Sequence, residues 1–284
     1  MIGVYDSGYG GLTVLRHIRS RLPERSTCYL GDSGRAPYGG RDVHTILDFA
    51  EQAVERLFDE GCRLVIVACH TVSCVGLRHL QQRYCGPGSD KRVLRVAIPG
   101  AEIATRPSRG RIGLLATEAT VSSGTYDVEV AKLGTHVVVG RSAPVLAPIV
   151  EEGWEDSALA REALRAYLSD LPDIDTLLLG CTHFPLLAAA LDEVVPADVT
   201  VVDPGPFVAE RLDDWLRRHP DFDRLDAVAV HRLMCTGDPV RFARHGARFL
   251  GHDLPSVEPI GEINGRLAPR DPTARPLGQV VRPT

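Results

Sequence analysis

The sequence has no CxxC pair, no cluster of Lys and Arg, and no apolar run near the ~18 residues that a membrane-spanning helix needs. Each absence removes a class of protein. Seven cysteines without metal-ligand spacing argue against a zinc site or a secreted disulfide framework, so Cys28, Cys62, Cys69, Cys74, Cys85, Cys181 and Cys235 are expected to be free thiols and no metal site is expected. A net charge of -5 with scattered basic residues argues against direct nucleic-acid binding. The opening MIGVYDSGYGG carries neither a basic nor an apolar leader region, which with the missing span points to a cytoplasmic protein without a membrane partner. DSGYGG lacks both the Lys-Ser/Thr ending of a P-loop and the GxGxxG spacing, and nucleotide chemistry is set aside.

What is present is an alternation. Apolar, β-branched runs of strand length alternate with segments of helical period, the pattern of parallel βα units with functional residues at strand ends. The class is α/β. The first unit runs from Ile2 through a turn at Asp6, Ser7, Gly8, Gly10 and Gly11 into a helix carrying Val14, Leu15 and Ile18. A second helix places Ile46, Ala50, Ala53, Val54 and Leu57 at three- and four-residue steps, and RLVIVA then forms a strand that delivers Cys69. From about Leu254 a proline-rich tail with little periodicity reads as an extended wrap or a loose terminus.

The order of units repeats about 110 residues later. IGVYDSGYGG at Ile2 matches IGLLATEAT at Ile112, the segment around Gly31 matches that around Gly140, LVIVACHT with Cys69 matches LLLGCTHF with Cys181, and AIPGAE matches VDPGPFVAE. Two similar halves facing each other would set equivalent strand ends across one cleft, with Cys69 and Cys181 on opposite sides of whatever binds there. The expected organisation is two pseudo-symmetric parallel-sheet αβα domains, residues 1–97 with 207–284 and residues 98–206, with the active site between them.

Inverting a stereocentre by proton transfer requires a base on one face of the carbon and an acid on the other. Two equivalent cysteines meet that need. Each lies where a strand ends and a helix begins, with Thr71 placed to cap one helix and Pro185 in the first turn of the other, and helix N-termini lower a thiol pKa toward neutrality. His183 is a candidate to move a proton for Cys181, and Asp6 for Cys69.

With VYDSGYGGLTVL, YLGDSGRAPYG, VIVACHT, LLATEAT, PIVEEG, LLLGCTHFPLL and CTGDP in this order, the chain resembles bacterial glutamate racemases of the aspartate/glutamate racemase family. The resemblance implies an Asp/Glu-racemase-like fold, no cofactor, glutamate as substrate, a homodimer, and a product, D-glutamate, used in peptidoglycan synthesis. It also implies that Cys69 acts on the D-enantiomer and Cys181 on the L-enantiomer. Asp6, Ser7, Pro37, Tyr38, Gly39, Thr71, Thr117, Thr120, Thr182 and His183 would surround the substrate, and Glu151 would act with His183. The family's asparagine after the first cysteine is replaced here by His70, which can also donate to a carboxylate but is larger and able to carry charge. That exchange keeps open a racemase of aspartate, a hydantoin or another acid. The rival of a different class is a non-catalytic relative acting through a protein partner such as DNA gyrase.

Overall fold

Strands buried over their whole length, not on alternate residues, set the architecture. In a computed structural model describing residues 1–223 and 225–270, β1 (Ile2–Asp6), β2 (Thr27–Gly31), β3 (Leu64–Val67) and β4 (Arg92–Arg95) lie in one sheet. A second sheet holds β5 (Arg111–Ala116), β6 (Val137–Ser142), β7 (Thr176–Gly180) and β8 (Thr200–Val202). The chain then returns to the first sheet with β9 (His231–Cys235), β10 (Glu258–Ile263) and β11 (Arg266–Pro269). Every residue of β1, β2, β3 and β7 is buried, which parallel strands covered by helices on both faces require. The helix Val43–Asp59 turns Ile46, Ala50, Ala53, Val54 and Leu57 inward, as its periodicity predicts.

The repeat seen in the sequence is a repeat of topology. The first sheet runs β11-β10-β9-β2-β1-β3-β4 and the second β6-β5-β7-β8, so the order β2-β1-β3-β4 recurs unit for unit, all parallel. Cys69 follows β3 and Cys181 follows β7, at equivalent strand ends. Among the described residues, no helix is long and apolar enough to cross a membrane.

Part of the proline-rich tail differs from the expected extended wrap or loose terminus. Residues 258–269 form a hairpin, β10 and β11, that joins the sheet beside β9. Its two-residue turn is Asn264-Gly265 with φ of 52° and 75°, the left-handed pair that matches strand twist. The dipeptide was the available signal, outweighed by the surrounding prolines; Pro272, Pro276 and Pro283 lie outside the described residues.

The two lobes built on these sheets share one apolar core, running from Val4, Leu15 and Phe249 to Leu179, Phe184 and Ile149. Polar bonds register the seam. Thr13 donates its hydroxyl to the Thr182 carbonyl at 3.1 Å, and the Ala119 N–H donates to the Gly39 carbonyl at 3.1 Å. Close approach fixes Gly10 as glycine: a Cβ there would overlap Thr182 Oγ1 and stand 2.6 Å from His183 Nδ1. Gly10→Ala is therefore expected to cost about 1–3 kcal/mol by overpacking, read as a fall in Tm of several degrees. Gly40→Ala, where a Cβ meets nothing within 4 Å, is the control and should leave Tm unchanged.

Candidate active site

Both cysteines open onto one small cavity of about 60 Å³ between the lobes. Of the residues predicted for the site, Ser7, Pro37, Tyr38, Gly39, Cys69, His70, Thr71, Thr117, Glu151, Cys181, Thr182 and His183 line it. Two do not. Asp6 is fully buried at the end of β1, its carboxylate accepting the Gly8 N–H at 2.9 Å and the Thr182 hydroxyl at 3.3 Å. Thr120 is buried behind Thr117, 2.9 Å from its hydroxyl. Gly8, Ala36, Ala147 and Gly180 complete the wall as small residues without a chemical signal in the sequence. Among the described residues, the wall contains neither Lys nor Arg.

The two thiols have different surroundings. Cys69 is the N-cap of the six-residue helix His70–Val75, and its Sγ donates to Ser7 Oγ at 3.4 Å. Burial, then the Asp6 charge, pushes this thiol up to about 12, against the Ser7 and Val72 hydrogen bonds that pull it down. The expected shift toward neutrality is thus reversed, because so short a helix end cannot offset the loss of water around a thiol that is 4% exposed. Asp6 makes no hydrogen bond to Cys69 among the described residues and acts on it through charge. Thr71 also differs from its expected capping role: the cap falls two residues earlier, at Cys69, and the Thr71 hydroxyl instead meets Thr117 Oγ1 across the seam at 2.9 Å.

Cys181 Sγ lies 3.8 Å from His183 Nδ1, whose Nε2 lies 3.0 Å from Glu151 Oε1 at the end of the helix Leu146–Glu151. Thiol, imidazole and carboxylate therefore form a chain. Burial works against charge on His183, but hydrogen bonds to Cys181 and Glu151, with their charges, outweigh it and hold the imidazole at about 10. Burial likewise raises Glu151, and the His183 bond and charge more than offset it, leaving the carboxyl lowered. Pro185 lies in the first turn of the short 3-10 helix Phe184–Leu187, as expected, and Phe249 packs edge-on against the His183 ring at 5.2 Å. Asp6 is raised by burial, against the His183 charge and the Gly8 and Gly11 N–H groups.

A buried network absent from the sequence reading anchors the segment Ala36–Gly39. Asp32 receives the Arg35 guanidinium at 2.8 Å, the Thr236 hydroxyl at 2.6 Å and the Tyr38 hydroxyl, which also meets Tyr5 OH at 3.0 Å. Tyr38 thus contributes a fixed wall, not a free hydroxyl.

Two repeated α/β lobes place a thiol at equivalent strand ends across one cavity, and relatives of this fold are isomerases acting on amino acids. The chain belongs to the Asp/Glu/Hydantoin racemase family, whose model matches residues 13–212. It is 39% identical to the glutamate racemase of Paracoccus denitrificans, over 89% of this chain and 97% of that one. A glutamate racemase isoform from Bacillus anthracis superposes with a TM-score of 0.84 at 35% identity, covering 91% of this chain and 96% of that one. The Francisella tularensis glutamate racemase solved with D-glutamate gives 0.83 at 28% identity, covering 92% and 97%.

The His183–Glu151 pair has a pH signature. A folded His183 near 10 against an ordinary 6.5 contributes stability that is complete below pH 6.5 and lost as pH rises through 10. Lowered Glu151 contributes stability present above its ordinary 4.5 and lost as pH falls. Glu151→Gln is expected to cost about 1–2 kcal/mol near pH 6, discounted because the carboxylate is one-third exposed. The Tm gap between parent and variant should close toward pH 10; a constant gap would show that His183 is not held charged by Glu151.

Proposed function

We propose that this enzyme interconverts L- and D-glutamate, with Cys69 and Cys181 as the two proton-transfer groups and no cofactor. The observation that carries the reading is the presence of both thiols in one cavity, at the ends of equivalent strands in the two lobes. The names and identities of the relatives support the substrate. So does the wall, whose hydroxyls on Ser7, Thr71, Thr117 and Thr182 suit the carboxylates of a small diacid.

Chemistry follows from the unequal thiols. Cys181, which can pass its proton to His183 while Glu151 stabilises the imidazolium, removes the α-proton of L-glutamate. Cys69, which burial keeps protonated, delivers a proton to the opposite face and forms D-glutamate. The reverse reaction exchanges the roles. Charge developing on the α-carboxylate is spread over hydroxyl and backbone donors in a closed site, where each hydrogen bond is stronger than in water. The D-glutamate so formed is the form that peptidoglycan synthesis uses.

Circular dichroism of L-glutamate incubated with the protein, with aspartate in parallel, tests the substrate: glutamate should lose its signal at least ~10-fold faster, about 1.4 kcal/mol of barrier. Cys69→Ser and Cys181→Ser should each lower turnover by more than ~10-fold, since serine keeps the shape but not the ionisable thiol. In deuterium oxide the first product formed should already carry deuterium at the α-carbon. Product that retains the substrate's own hydrogen would sink the two-base mechanism.

A further inference from the structure

His70 reaches the cavity with one nitrogen already committed. Its Nδ1 lies 2.7 Å from the Tyr126 hydroxyl, the two rings are inclined by 23°, and both residues are buried. The pairing joins the lobes, because His70 belongs to the helix after β3 and Tyr126 to the helix Thr125–Ala131 of the second lobe. Nε2 is the polar ring atom left for the cavity that His70 lines.

Hydrogen-bond accounting selects the tautomer. The Tyr126 hydroxyl has one hydrogen-bond partner among the described residues, His70 Nδ1. Were Nδ1 to carry the proton and donate it, the buried phenol proton would have no acceptor, a loss of about 1–3 kcal/mol. Were the phenol to donate to Nδ1, that proton is satisfied and the imidazole proton sits on Nε2. The space at the hydroxyl is enforced by the fold: a Cβ on Gly100 would stand 2.9 Å from the Tyr126 oxygen.

We propose that Tyr126 is a positioning residue that fixes His70 as the Nε2–H tautomer, presenting a neutral, directional N–H donor to a substrate carboxylate. Burial pushes His70 down to about 3, so the ring stays neutral across the working range and donates without adding charge to a wall that, among the described residues, has no Lys or Arg. The inference rests on the glutamate reading for the identity of the acceptor. The tautomer itself rests on the His70–Tyr126 geometry alone.

Steady-state kinetics of Tyr126→Phe, His70→Asn and the double variant test the role. Tyr126→Phe keeps the ring and its packing, so KM for glutamate should rise about 10-fold while kcat stays within about threefold. In the His70→Asn background, where an amide donor does not depend on Tyr126, the same change should alter KM less than about twofold. An equal KM penalty in both backgrounds, or none in the single variant, would overturn the proposal. Nitrogen-15 NMR of histidine-labelled, substrate-free protein reads the tautomer independently: the His70 signal, assigned by its loss in His70→Asn, should show the proton on Nε2. A proton on Nδ1 would overturn the proposal even if the variants folded poorly. A parent protein inactive on glutamate would sink the substrate reading instead, and the NMR tautomer would still decide this one.

Discussion

Thr182 is held at both ends by the other half of the molecule, its carbonyl by the Thr13 hydroxyl and its hydroxyl by the buried Asp6 carboxylate. Because Thr182 lies between Cys181 and His183, these two bonds fix one cavity thiol and its imidazole against the first lobe. Gly10 permits the contact by having no side chain, and Asp6 tolerates burial because Gly8 and Gly11 supply N–H groups. The cavity thus lies where two packed clusters meet, with Cys181 in the core that the lobes share and Cys69 in that of the first lobe.

The strand ends bearing Cys69 and Cys181 were legible because parallel strands buried on both faces read as unbroken apolar runs, and two such runs stood in matching order. The α/β class and the repeated topology follow from that same signal. What escaped was what depends on tertiary distance. Tyr126 meets His70 across 56 residues, and the Asp32 network draws on Thr236 from β9's far end. Neither spacing leaves a local trace. Cys69 departs from its expected shift for another reason: a helix terminus can be read from sequence, whereas burial cannot, and here burial is the larger effect. Asp6 likewise has the right address for a cavity residue but sits beneath the wall, turned toward Gly8 and Thr182.

Electrostatic economy distinguishes the site. Among the described residues the wall has hydroxyls and imidazoles but no Lys or Arg, so its cationic charge is confined to His183. The imidazoles divide the labour: His183 is held charged by Glu151 and Cys181, and His70 is held neutral by burial. A charge-rich wall would bind a carbanion and its parent acid alike, whereas fixed dipoles can be aimed at the oxygen atoms where charge grows.

The unlike settings of the two thiols have a consequence that thermodynamics limits. Mirror-image amino acids have equal free energy in water, so the equilibrium constant is one, and kcat/KM must be the same in both directions whatever the protein does. The imidazole chain behind Cys181 and its absence, among the described residues, behind Cys69 therefore cannot make the enzyme prefer a product. They can only divide an identical efficiency differently, giving one enantiomer tight binding with slow turnover and the other loose binding with fast turnover.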